Sequence, residues 1–256
     1  MIELENISLA YNNHRVLDGV SFTAQFWERL AILGGSGEGK TTILKIILGL
    51  IRPDAGRVVV DGQDITGLSE SQLRSVRRKF TIVFQEGALF DSMNVKENVA
   101  FCLREQGGYS DEEIDRQVET LLKRVGIERA IDLMPEELSG GMQRRAAIAR
   151  SLAACEPRMM LYDEPTTGLD PLTAENICGL INDLSSGDPG ERKGNIIVTH
   201  DVVTASKVAD RFLYLKEGRV IFDDDLPALL NTDDPELRKF INSLLLIGKE
   251  AYPTGG

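Results

Sequence analysis

The chain has 256 residues, a formal charge of −11 and a hydrophobic fraction of 42%, with a sequence pI of about 4.8. That length allows one large domain, or a core with a smaller subdomain, and the acidity excludes a non-specific grip on nucleic acid. No apolar run approaches the roughly 18 to 20 residues that cross a bilayer, and Met1 leads into the alternating Ile2-Glu3-Leu4-Glu5 without a basic-then-apolar leader. The expectation is a chain that is cytosolic, or held at a membrane by a partner. Cys102, Cys155 and Cys178 lack metal-ligand spacing and read as small apolar fillers in a reducing compartment.

The N-terminal part, to about Gly62, reads as short strands over residues 2–10, 20–27, 30–33 and 57–60. Between the last two lies a glycine-rich stretch, Gly34-Gly35-Ser36-Gly37-Glu38-Gly39-Lys40-Thr41-Thr42, with a helix pattern starting at Lys40. Apolar runs then recur at residues 80–84, 159–162, 195–198 and 212–215. Helical patterns lie between them, which predicts strands buried on both faces of a mainly parallel sheet.

The stretch between Phe84 and Met159 shows no strand, so a helical insertion of about residues 86–156 is expected. It contains a capping box, Ser110 to Glu113, followed by Ile114, Val118, Leu121, Leu122 and Val125 at helical spacing. Residues 185–194 read as a polar surface loop and Lys216-Glu217-Gly218 as a hairpin turn. Asp234-Pro235-Glu236 starts a helix, whose stripe of Leu237, Phe240, Ile241, Leu244 and Leu245 packs on its own body or on a partner. His14 reads as a surface residue in a turn. Arg74, Arg77, Arg78 and Lys79 read as a solvated helix face.

Residues 34–41 match G-x-x-x-x-G-K-[ST] between a strand and a helix. Glycines permit torsions that let successive N–H groups converge on phosphate oxygens, and the helix start adds its positive dipole end. Lys40 would reach the β- and γ-phosphates, and the Thr41 hydroxyl would ligate Mg²⁺. Glu38 places an acid in this loop. Because the cradle works through backbone N–H groups, its carboxylate is expected to turn away from the phosphates, toward a basic group or a dimer interface. The strand Met159-Met160-Leu161-Tyr162 ends in Asp163, placed for the Mg²⁺ shell, and Glu164, placed to polarise an attacking water.

Leu138-Ser139-Gly140-Gly141-Met142-Gln143-Arg144-Arg145 resembles the signature motif of ATP-binding-cassette (ABC) ATPases, and the resemblance extends over roughly residues 1–225. It implies an α/β P-loop NTPase fold with a RecA-like core, an N-terminal antiparallel β-subdomain and an inserted α-helical subdomain. The cassette would span residues 1–232, leaving 233–256 as a C-terminal helix and tail that contacts a second copy or another partner. Under the same resemblance Gln85 is the Q-loop glutamine and a Mg²⁺ ligand, Asp170 belongs to the D-loop, His200 is the switch histidine and Tyr11 stacks on adenine.

Ser139, Gly140 and Gly141 open a helix, a second anion-binding terminus that needs a different γ-phosphate. The family meets this need with a head-to-tail homodimer, each signature motif completing the other chain's site. The expected cofactors are therefore ATP and Mg²⁺, with Glu164, His200 and Lys40 as the catalytic residues. A transporter subunit is favoured over a soluble member acting in DNA repair or translation, because coiled-coil, zinc and tandem-cassette insertions are absent from the sequence.

Within transporters, residues 84–101 and 137–145 are similar to the Mla/Mce class of lipid-transport ATPases, as is the segment Asp-Pro-Glu-Leu-Arg-Lys-Phe-Ile at 234–241. The class implies an MlaE-like integral membrane permease and a phospholipid or related hydrophobic substrate. It also implies a Mce-type lipid-binding protein, a small regulatory subunit, no nucleic acid, and a peripheral position on the cytoplasmic face of the inner membrane. The alternative is a small-solute importer, for example of polar amino acids.

Overall fold

The computed structural model describes residues 1–12, 14–85, 87–154, 157–186 and 193–242. The N-terminal strands are β1 (Ile2–Tyr11), β2 (His14–Ala24), β3 (Arg29–Leu33), β4 (Ala55–Val60) and β5 (Gln63–Asp64), with helix α1 (Lys40–Ile47) between β3 and β4. There follow α2 (Glu70–Arg77), β6 (Phe80–Val83), then α3 (Val95–Gln106), α4 (Asp111–Val125) and α5 (Gly140–Ala154). The remainder is β7 (Met159–Asp163), α6 (Pro171–Ser185), β8 (Gly194–Thr199), α7 (Val202–Val208), β9 (Arg211–Lys216), β10 (Arg219–Asp225) and α8 (Leu226–Leu230), before a C-terminal helix at 235–242.

Two sheets result: an antiparallel one of order β2-β1-β4-β5, and a six-stranded one of order β10-β9-β3-β8-β7-β6 that is parallel except for the β9–β10 hairpin. In β3, Leu30 and Ile32 face a core shared with α1 and the antiparallel sheet, while Ala31 and Leu33 face the core shared with the helices of the insertion. Burial on both faces is why these strands carry continuous apolar runs.

The parallel register sets Leu33 opposite both Thr199 and Tyr214, Val83 opposite Tyr162, and Asp163 opposite Val198. The segments after β3, β6, β7 and β8 therefore leave the sheet at one edge, where parallel α/β sheets bind ligands. The capping box of α4 is present: Glu113 N–H donates to Ser110 Oγ and Ser110 N–H to the Glu113 carboxylate.

Several boundaries differ from the sequence reading. Strand β2 begins at His14 and stops at Ala24, because it pairs with β1 from Tyr11–His14 to Ile2–Ala24. His14 is thus an exposed strand residue, and Trp27 lies in the turn beyond. Ser185 and Gly194 belong to α6 and β8, while 187–192 fall outside the described residues. Arg77 is no freely solvated charge: it donates to the Leu48 and Gly49 carbonyls after α1, at 3.0 and 3.2 Å, and pairs with Glu70. Lys79 pairs with Asp61. The tail stripe packs on its own body at Leu237 and Ile241, 1% and 3% exposed, and Leu244 and Leu245 lie outside the described residues.

Gly194 starts β8 where a Cβ would fall 2.4 Å from the Glu28 carbonyl oxygen and 2.6 Å from that of Phe26. Gly194→Ala is expected to lower unfolding free energy by about 1–3 kcal/mol, as overpacking does. Gly179→Ala, on open space in α6, should be neutral or stabilising by up to about 1 kcal/mol. Urea melts of the two variants check the close approach; equal midpoints would contradict it.

Candidate active site

The glycine-rich loop leaves β3 at Leu33 and enters α1 at Lys40. Gly37 and Gly39 adopt φ of +83° and +98°. A Cβ on Gly39 would also stand 2.8 Å from Leu17 Cδ2, so both torsion and space demand glycine there. Lys40 is buried, and its Nζ donates to the Gly34 and Gly35 carbonyls at 3.0 and 2.9 Å. The ammonium thereby spans the concave side of the loop. Thr41 Oγ1 donates to Asp163 Oδ1 at 2.8 Å, joining the start of α1 to the end of β7. These two adjacent oxygens are hard ligands of the kind Mg²⁺ takes.

Glu164 follows β7 with φ +48°, a left-handed torsion uncommon for a residue with a side chain. Its N–H is fixed to the Val198 carbonyl at 2.9 Å. Its carboxylate accepts from Thr167 Oγ1 (2.9 Å) and Thr199 Oγ1 (3.1 Å), meets His200 Nδ1 at 3.0 Å, and lies 3.5 Å from Lys40 Nζ. Burial works against its charge, but the His200 contact, Lys40 and Thr167 outweigh it and hold the carboxyl below its ordinary value. Neighbouring Asp163 is pushed up, chiefly by burial and also by the Glu164 charge, against the Thr41 hydrogen bond. The charged form of Glu164 is thus favoured at the end of a buried strand.

A cavity of about 610 Å³ gathers Gly35, Ser36, Gly37, Gly39, Lys40, Thr41, Thr42, Gln85, Glu164 and His200, together with Val16, Thr167 and Phe240. Gly34 and Asp163 border it through their bonds to Lys40 and Thr41. Tyr11, 47% exposed at the end of β1, is outside this lining. So are Ser139, Gly140, Gly141 and Asp170. Ser139 caps α5 by accepting from Met142 N–H at 3.3 Å, and Asp170 caps α6 by accepting from Thr173 N–H at 3.0 Å. These two caps abut: a Cβ on Gly141 would meet Thr173 Cγ2 at 2.5 Å.

Thr167, Thr199, Val16 and Phe240 are site residues that motif reading missed. Thr199 had a signal, standing between the apolar run at 195–198 and His200; Phe240 had none.

Glu38 is absent from the cavity lining, so its carboxylate does turn away from it. Its carboxylate accepts the backbone N–H of Glu217 in the β9–β10 turn, whose two residues Glu217 and Gly218 have φ +48° and +73°. That turn is pressed on β2, since a Cβ at Gly218 would lie 2.7 Å from the Val16 carbonyl oxygen. Glu38→Ser is expected to cost about 1 kcal/mol in urea unfolding, the scale of one hydrogen bond. Affinity for a phosphate ligand should change by less than tenfold, roughly 1.4 kcal/mol; tighter binding beyond that would mean the charge acts on the ligand.

Comparison with known proteins agrees with this geometry. A family model described as "ABC transporter" matches residues 17–167. The intermembrane phospholipid transport system ATP-binding protein MlaF of Escherichia coli (strain K12) is 37% identical over 95% of this chain and 89% of its own length. Protein TRIGALACTOSYLDIACYLGLYCEROL 3, chloroplastic, of Arabidopsis thaliana is 36% identical over 96% of this chain and 74% of its own. Among solved structures, the dimeric ATP-binding cassette MJ0796, in a post-hydrolysis state bound to ADP and Pi, superposes with a TM-score of 0.80 at 34% identity, covering 88% of this chain and 99% of that one. The loop, the Asp163–Glu164 pair, His200 and this similarity along nearly the whole chain together establish that the protein belongs to the ABC transporter family, as an ATP-binding and ATP-hydrolysing subunit.

Proposed function

We propose that two copies of this chain hydrolyse ATP to drive movement of phospholipid, or a related hydrophobic molecule, through a membrane permease. The observation that carries the chemistry is the convergence of Lys40, Thr41, Asp163, Glu164 and His200 on one cavity. In this reading the loop N–H groups and Lys40 hold the β- and γ-phosphates. Glu164, kept ionised by its surroundings, takes a proton from the attacking water. His200, in contact with that carboxylate, senses the γ-phosphate, and Gln85 lines the same cavity. Mg²⁺ held by Thr41, Asp163 and Gln85 would neutralise charge developing on the phosphate oxygens.

Ser139, Gly140 and Gly141 lie outside the cavity of their own chain, which supports their serving a second copy placed head to tail. MJ0796 is a dimer by description. Tyr11 is proposed for adenine and Asp170 for the contact between copies, on family pattern. No helix among the described residues is long and apolar enough to cross a membrane, so coupling to the bilayer would run through a docked permease. A groove of about 300 Å³ suits that docking. It is lined by Leu48, Leu50, Phe84, Cys102, Ala147 and Arg150, next to Gln85. A permease helix seated there would press directly on the segment that carries Gln85.

The lipid class follows MlaF, by name a phospholipid transport protein, and the galactolipid-named chloroplast relative. It brings with it an MlaE-like permease, a Mce-type lipid-binding protein, a small regulator contacted by residues 233–256, and a place on the cytoplasmic face of the inner membrane.

Glu164→Gln should retain ATP binding, accumulate a dimer on size exclusion and slow turnover about 10²-fold or more, the scale of a lost general base. Turnover near the wild-type rate would remove Glu164 from that role. In proteoliposomes holding the ATPase with its permease, turnover should respond to phospholipid and be indifferent to polar amino acids; the reverse response would favour the small-solute reading.

A further inference from the structure

The segments that carry Gln85 and Glu164 are joined by a side chain from a third element. Helix α5, which the signature residues open, grips the segment after β6 along one side. Arg144 Nη1 donates to the Phe84 carbonyl at 3.3 Å, and Arg150 Nη1 donates to the Ala88 carbonyl. Between these contacts Gly87, at φ +72°, lies so close that a Cβ there would meet Ala147 Cβ at 3.3 Å. The other arm of the Arg144 guanidinium, Nη2, donates to the Thr167 carbonyl at 3.5 Å. Thr167 is itself bound twice to Glu164: its hydroxyl donates to Glu164 Oε2 at 2.9 Å, and its N–H to the Glu164 carbonyl at 3.3 Å.

A guanidinium is planar, with its donors fixed in a rigid fork, so two acceptors bound to its two arms are held at a set separation. Here one acceptor belongs to the residue before Gln85, and the other to the residue that orients Glu164. Gln85, Glu164 and Thr167 line the phosphate-loop cavity, and Arg144 does not. In the nucleotide reading, Gln85 and Glu164 face the reacting phosphate and the attacking water. Their separation then sets the geometry in which the two meet, and small misplacements of reacting groups are costly. We infer that Arg144 is a positioning residue for hydrolysis, holding the Gln85 and Glu164 segments in one arrangement from outside the cavity. This rests on the nucleotide reading of the cavity.

The test is steady-state ATPase kinetics of the full chain carrying Arg144→Met or Arg144→Lys, beside calorimetric titration with MgATP and a thermal melt. Both variants should keep ATP affinity and KM within about twofold and lose about tenfold or more in kcat, the pattern of lost transition-state geometry. Lysine should not rescue, because an ammonium is a point charge without the fork. In a Glu164→Gln background, Arg144→Met should change the residual single-turnover rate by less than about twofold, since the group through which it acts is gone. Unchanged kcat in a folded variant would overturn the inference, as would full rescue by lysine or a loss carried by KM. So would a further loss of about tenfold in the Glu164→Gln background, the additivity expected of an independent structural role. If Arg144→Met fails to fold, Arg144→Lys carries the same expectations. Should the wild-type chain bind no MgATP, the nucleotide reading itself would fall, which separates the two failures.

Discussion

The register of the parallel sheet fixes the level at which β3, β6, β7 and β8 end, and with it the position of every group around the cavity. Leu33 is opposite Thr199, and Asp163 is opposite Val198. The phosphate loop, Gln85, Glu164 and His200 thus leave the sheet side by side, though they are up to 166 residues apart in sequence, Gly34 to His200. Because each strand is buried on both faces, a slip by one residue would exchange its two apolar faces and break both cores at once. Site geometry is in this way secured by packing that never touches a ligand.

On that frame the electrostatics are arranged around an opposition. Two carboxylates, Asp163 and Glu164, share the end of β7, and burial disfavours charge on each. They are distinguished by partners: Asp163 has the Thr41 hydroxyl, while Glu164 has Lys40, His200, Thr167 and Thr199. One is suited to sit beside a cation and the other to remain a charged base, a division of labour set by environment. Glu38 follows the same logic on a smaller scale. It uses its charge on a backbone N–H and thereby ties the loop to the β9–β10 hairpin.

Much of this was legible in the sequence because the signals are local. Strand β7 with its terminal Asp163–Glu164, the loop at 34–41, and the capping box of α4 each carry residue type and spacing within a few positions. The early start of β2 was not legible, since His14 and Arg15 are exposed and that end of the strand exists through pairing with β1. Arg77 looked like one of a charged group, and only the folded chain shows it closing the carbonyl end of α1. The partner of Glu38 lies 179 residues away. Phe240 reaches the cavity only through a helix folded back over β9. Contacts between residues so far apart leave no periodicity or motif to read.

In the proposed dimer one chain supplies the loop, the base and the histidine, while the signature residues Ser139, Gly140 and Gly141 act in the cavity of a second copy. Mixing two inactive variants measures this directly: Lys40→Ala, with a damaged loop, and Ser139→Arg, with a damaged signature. Random exchange between them should restore about a quarter of the wild-type ATPase rate, since half the dimers are mixed and each holds one intact composite site, as two-fold symmetry requires. A mixture no more active than its separate components would contradict the account.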